Sequence, residues 1–566
     1  MQMENADLIL HNGLLWTGDA LRPHAEALAV VDGRIIFAGS SSEVLSKYKS
    51  PDSVDLHGRR LLPGLHDSHM HLINTGKALQ TVDLTGCSSI SEMIDRYRGF
   101  LHKKGGAGSE DDLLTGRGFL HKKGGAGNED DFLMGRGFLQ DGFIEKRMPT
   151  RDDLDLISTQ HPIVALRACG HILVCNSRVL ELAKIGKGFG QVEGGEIGYD
   201  SEGRPNGVFS ENAINLINAI IPPPTVETLQ ETISIAASQL LRCGITTAHT
   251  DDLDNKDWEL KHRAYAAAAK AGRLKVRLNH QLRFDKQEDV SAFVSWRDEH
   301  AGEYGFDPEF FCYGPVKLMC DGSLGGRTAA LREPYADDPG TSGIAVLDKE
   351  KMVAILSEAN RFGFKLCGHA IGDRAISDLV EAMGEVVPPQ SRKAARSRVI
   401  HAQITTPDIL ERMRELHIHC DVQPPFVATD HGIVADRVGR AKAQTSYAWR
   451  TMRRMGITTS GGSDSPVESC NPFYGIYCAV TRQTAAGEPP GGWHPEQCLS
   501  VEEALRLYTC DAAYAAGTEN VTGCLKPGYY ADFILLDRDI LSIPHQDIKD
   551  VNVLSTWVAG GQVYDK

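Results

Sequence analysis

The feature that most constrains this chain is an alternation in its middle. Short apolar segments near 61–68, 244–249, 276–283, 315–320, 364–368, 397–401, 417–422 and 457–463 are separated by longer stretches of helical pattern. Strand–helix alternation means parallel strands joined by crossover helices, and eight strands are the number that closes a barrel. The pattern predicts an α/β fold with a (β/α)8 TIM-like barrel over 61–519. The ends read differently. Leu8-Ile9-Leu10, Asn12-Gly13 and Leu14-Leu15-Trp16 form one hairpin signal, and Ala27 to Val31, Asp32-Gly33 and Arg34 to Phe37 form a second. Apolar runs at Phe533 to Leu536 and Val551 to Val558 end the chain, with Gly560-Gly561 before Gln562-Val563-Tyr564. A small β-sandwich domain built from both termini, 1–60 plus 520–566, is expected.

The stretch from about 73 to 243 is longer than one crossover needs, so an insertion is expected there. It holds a tandem repeat over 98–135: RGFLHKKGGAGSEDDLLTG recurs as RGFLHKKGGAGNEDDFLMG with 3 of 19 positions changed, and a partial copy, RGFL, starts at Arg136. Two near-identical copies read as a recent duplication rather than a solenoid, and their Lys, Gly, Glu and Asp content predicts a surface loop. The net charge of −15 argues against nucleic acid as a partner. No apolar run is long enough for a membrane helix, and the first residues lack the pattern of a secretory signal. With no C-x-x-C pair among 13 cysteines, reduced, mostly buried thiols in a cytoplasmic protein are expected.

Chemistry-bearing residues gather at the ends of the expected strands. In His66-Asp67-Ser68-His69-Met70-His71, alternate residues share a strand face, so His69 and His71 can aim two imidazoles at one ion. Lys317 lies among apolar residues, where an unpaired cation is costly. His369, His401 and Asp464 end later strands. Any one of them has an ordinary reading as a core histidine, a turn or a helix cap. Together they occupy the end of a barrel where active sites are built, and imidazole and carboxylate donors suit zinc, manganese, iron or nickel.

The motifs that carry these residues are long and ordered: LLPGLHDSHMHL (61–72), CGHILVCNS (169–177), GRPNGVFSENA (203–213), GITTAHTD (244–251), VKLMCDGSLGGRTAALREPYADDPG (316–340), GHAIGDRAI (368–376), HAQ (401–403) and GSDSPVESCNPFYGIYCAVTR (462–482). With them the chain resembles the amidohydrolase superfamily, in its YtcJ-like, amidohydrolase-3 type branch, which includes N-substituted formamide deformylase. The resemblance implies one or two divalent metals, zinc by expectation. His69, His71 and Asp464 would hold one, His369 and His401 a second, and a carboxylated Lys317 would bridge them. It also implies that His171 faces the active site and stabilises an oxyanion or contacts substrate, with Arg136, Glu211, Asp321, Asp373 and Gln423 as weaker substrate-binding candidates. Phe138, Phe143, Phe426, Trp449 and Tyr474 could shape an apolar pocket. One departure is Ile400, where the family carries a glutamate before the histidine; its loss removes a partner that could orient His401.

The implied reaction is hydrolysis of a non-peptide C–N bond, an amide or formamide, by attack of metal-bound hydroxide, with Asp464 moving the proton. Ester or lactone hydrolysis on the same site and a non-catalytic scaffold role are the alternatives. A small-molecule substrate and a homodimer are expected, with neither nucleic acid nor membrane as a partner.

Overall fold

The structure is a computed structural model that describes residues 3–105, 132–254 and 257–566. The chain forms two compact units, one of Met1–Leu72, Leu240–His262 and Gly272–Lys566, the other of Ile73–Gln239 and Arg263–Ala271.

The first unit is built on an eight-stranded sheet whose strands follow chain order. They are β1 (Leu65–Met70), β2 (Ile245–Asp254), β3 (Arg277–Arg283), β4 (Phe311–Met319), β5 (Leu366–Ala370), β6 (Arg398–His401), β7 (His419–Val422) and β8 (Thr459–Gly461). Every neighbouring pair is parallel. The first and last strands are tied just past the sheet, where Asp464 N donates to His69 O at 2.8 Å and His71 N donates to Ser465 O at 2.8 Å. The result is a nearly closed barrel, as the alternation predicts.

The segment expected as one strand at 61–68 is two. Arg60–Pro63 belongs to a terminal sheet and β1 starts at Leu65. Gly64 is the pivot, where a Cβ would lie 2.2 Å from Thr246 Oγ1, so no side chain fits as the chain passes from one sheet to the other.

Besides a two-stranded pair, Glu4–Asn5 with Tyr48–Lys49, the termini supply two further sheets in the same unit. One has four strands, Arg34–Gly39, Ala27–Val31, Leu8–His11 and Asp52–Asp55 in spatial order. The other has six, Gly561–Asp565, Val553–Val558, Phe533–Leu536, Arg60–Pro63, Leu14–Trp16 and His24–Ala25. Leu8, Leu10, Leu28 and Val30 of the first share a buried cluster with Leu15, Leu61 and Phe533 of the second. The Asp32-Gly33 hairpin forms as expected. The Asn12-Gly13 hairpin does not, because Leu8–His11 and Leu14–Trp16 enter different sheets. The Asn12 side chain donates instead to Asp55 (2.9 Å) and its backbone N–H to Ser41 Oγ (2.9 Å). Those bonds turn the chain outward where a hairpin would fold it back.

The second unit carries a six-stranded mixed sheet in the order Val82–Asp83, Leu133–Phe138, Ile163–Arg167, Ile172–Cys175, Pro205–Glu211, Gly195–Tyr199. Its two faces are covered by separate apolar clusters. Most of the tandem repeat lies outside the described residues. Its described edges correct the loop expectation: Arg98 to Gly105 continue the helix Ile90–Gly105, and Leu133 to Gly135 begin a strand. Among the described residues no helix is long and apolar enough to cross a membrane.

Candidate metal centre

Besides the direct bond from Asp464 N to His69 O, a buried carboxylate ties His69 to the residue before Asp464. Asp67 Oδ1 accepts from the backbone N of His69 and of Ser463 (3.1 Å each), and Asp67 Oδ2 accepts from Ser463 Oγ at 2.5 Å. The Ser463 hydroxyl in turn accepts from Ser465 N at 3.0 Å. Asp464, between the two serines, sits at φ 56. His401 at φ 80 and Ala402 at φ 46 are also left-handed. For residues with a Cβ such backbone costs energy and persists where the surroundings enforce it, commonly at functional sites.

Six expected residues of the site come together in the first unit. His69 Nε2 lies 3.3 Å and His71 Nε2 3.1 Å from Asp464 Oδ1. His69 Nε2 is also 3.3 Å from Lys317 Nζ. The ring centroid of His401 is 5.5 Å from that of His69 and 4.5 Å from that of His369. Among the described residues, His69, His71 and Asp464 form a group able to offer three ligand atoms to one ion. Donors about 2.0–2.1 Å from a tetrahedral ion stand about 3.3 Å apart, and the Asp464 oxygen stands near that distance from both rings.

Outer partners decide which nitrogen each ring presents. Gln281 Oε1 faces His69 Nδ1 at 2.7 Å, and its amide N donates to Ser68 O, which fixes the amide's orientation. Gln423 Oε1 faces His401 Nδ1 at 2.8 Å, with its amide N donating to Asp421 O. A carbonyl oxygen only accepts, so both Nδ1 atoms carry hydrogen and both Nε2 atoms are left with a lone pair. His369 Nε2 is 3.2 Å from Gly322 O and 3.3 Å from Asp321 Oδ1, which leaves Nδ1 for an ion. His71 Nδ1 stands 2.9 Å from Asp251 Oδ1.

The electrostatics suit a cation. Burial would raise the Asp464 carboxyl, but the imidazoles of His69 and His71, 3.3 and 3.1 Å from it, outweigh that and hold it well below the usual carboxylate range. Burial and the neighbouring His369 keep His401 neutral. Burial opposes charge on His71 too, yet Asp251 and Asp464 overcome this and lift it to about 10. The pocket thus holds positive charge at His71, and an ion binding there takes the place of that proton.

Several expected roles are corrected. Asp321 is fully buried, accepts from Ala330 N, Ile371 N and Gly372 N, and so braces two loops beside His369. Asp373 is buried, accepting from Arg332 N and pairing with Lys442 at 2.8 Å. Gln423 serves His401. Phe138 and Phe143 are fully buried core of the second unit, and Trp449 is buried with Arg482 over its ring, so none of the three lines a pocket. Phe426 stacks on His401 with ring planes 8° apart. The gap left by Ile400 is covered, since that residue is buried in β6 while Gln423 partners His401. His171, Arg136 and Glu211 belong to the second unit, where all three are exposed and His171 Nδ1 lies 3.1 Å from Glu211 Oε2.

Asp67, Asp251 and Gln281 escape the sequence reading. The available signal was polar residues at the ends of otherwise apolar strands, as in Thr250-Asp251-Asp252 and His280-Gln281.

Fold and site define a barrel protein with a buried centre of imidazoles and carboxylate suited to a divalent ion. The chain belongs to the amidohydrolase family, whose model matches residues 52–564. It is 32% identical to the putative amidohydrolase YtcJ of Bacillus subtilis over 99% of both chains. It is 27% identical to the N-substituted formamide deformylase of Arthrobacter pascens, over 99% of this chain and 98% of that one. An uncharacterized metal-dependent hydrolase from Pyrococcus horikoshii superposes with a TM-score of 0.73 at 28% identity, covering 95% of this chain and 98% of that structure.

Proposed function

We propose that this chain is a metal-dependent hydrolase that cleaves a non-peptide C–N bond, an amide or formamide, in a small molecule. The observation that carries this reading is the convergence of His69, His71 and Asp464 at ligand spacing, with His401, His369 and Lys317 beside them. The likeness to a formamide deformylase along nearly the whole chain supports the bond type. Zinc suits the donor set best. When bound, the ion makes water acidic enough to supply a nucleophile near neutral pH and polarises a carbonyl oxygen. The chain's own part is to orient and to move protons. Gln281 and Gln423 keep two lone pairs aimed inward. Asp464, held ionised, accepts the proton of the attacking water and passes it to the leaving nitrogen, which departs as an amine. Carboxylation of Lys317 by CO₂ would supply the anionic bridge that a second ion requires.

The test is Asp464→Asn against wild type on a panel of N-substituted formamides, acyl amides and aryl esters. Turnover of amides by wild type, reduced at least about 100-fold in the variant, is the expected result. A panel in which only esters turn over would contradict the bond assignment.

A further inference from the structure

We propose that Asp251 is a positioning residue of the metal centre, holding His71 and Lys317 together from the far side of the ligand cluster. This deepens the hydrolase reading and rests on it. Asp251 lies near the end of β2, with its side chain fully buried. A register shift brings it there: β2 slips against β3 between the pairs Thr250↔His280 and Leu253↔Leu282, so Asp251 and Asp252 together oppose the single residue Gln281. An extra residue of this kind is a bulge, a device that re-aims a side chain beside an active site.

What the bulge aims is a carboxylate with two partners. Oδ1 is 2.9 Å from His71 Nδ1, and Oδ2 accepts a close hydrogen bond from Lys317 Nζ. His71 is the more exposed member of the H-x-H pair, with 20% of its side chain exposed against 1% for His69. Packing alone therefore constrains its ring less, and Asp251 supplies the constraint. With Nδ1 2.9 Å from the carboxylate, Nε2 is the nitrogen turned to Asp464. His69 and His401 are oriented by neutral amides, whereas His71 has an anion. A carboxylate behind a ligating imidazole fixes its tautomer and raises its basicity, and loss of such a partner costs typically about 10–100-fold in metal affinity. The same carboxylate grips Lys317, so one side chain spans a ligand from β1 and a candidate ligand from β4.

The test compares wild type with Asp251→Asn, Asp251→Ser and Asp251→Glu. Zinc affinity is measured by chelator competition, and the visible spectrum is recorded after cobalt(II) loading. Thermal unfolding of the metal-free proteins checks that each variant folds. The expected result is zinc affinity weakened about 10–100-fold in the Asn and Ser variants, with a changed cobalt spectrum and partial recovery in Glu. If Asn fails to fold, Ser carries the test, since it removes the carboxylate without adding a second donor. Wild-type affinity and an unchanged cobalt spectrum in a folded Asn or Ser variant would overturn the role of Asp251 alone. A wild-type chain that takes up no divalent ion would overturn the hydrolase reading and this inference with it.

Discussion

At the scale of the residue, the candidate site is candidate ligands plus the groups that aim them, and the two were not equally legible. His69, His71, Lys317, His369, His401 and Asp464 could be read from sequence because each ends an apolar strand, and strand ends of a barrel converge. Their partners could not. Gln423 carries no mark that separates a substrate contact from a histidine brace until β6 and β7 are paired and its Oε1 is found 2.8 Å from His401 Nδ1. Ile400 misleads in the opposite direction, because the missing glutamate suggests a weakened site while Gln423 does the orienting from the next strand. Gln423→Leu is therefore expected to lower metal affinity about 10–100-fold with little change in metal-free unfolding, as read by chelator competition and calorimetry. Ile400→Glu would bury a carboxylate where the ring already has its partner and is expected to give no gain in affinity in the same titration.

At the scale of the element, the eight barrel strands were legible because alternation survives errors of a few residues at each boundary. The terminal turns were not. Asp32-Gly33 and Asn12-Gly13 carry the same local signal, yet only the first closes a hairpin. The strands beside Asn12 find better partners elsewhere, Ala27–Val31 and Asp52–Asp55 for one and Arg60–Pro63 for the other. The repeat makes the point more sharply. Arg98-Gly99-Phe100-Leu101 is helical, whereas in the identical tetrapeptide at 136–139 the first three residues end a strand. Local propensity is a weak prior that tertiary pairing overrides. At 136–138 that pairing is with Ile163–Arg167 on one side and Val82–Asp83 on the other.

At the scale of the whole molecule, the barrel unit buries more histidine than the candidate metal centre uses. Burial keeps His66 and His262 neutral, with values pulled down to about 4, and holds His249 and His280 well below the usual range. These rings bind protons in the unfolded chain but not in the folded one. Their contribution is thus complete above about pH 6.5 and is lost as pH falls toward 4, at up to roughly 3 kcal/mol for a ring whose value drops from 6.5 to about 4. Thermal midpoints of the metal-free protein should fall steadily across that window; a flat profile would mean that the rings are solvated. All of this surrounds one claim, that the cluster at the strand ends holds a divalent ion. Elemental analysis of the purified chain after zinc loading and desalting, set beside a His69→Ala, His71→Ala double variant, tests it most directly. The account predicts about one or two ions per chain in the wild type and a clear loss in the variant; equal metal in both, or none in either, would contradict it.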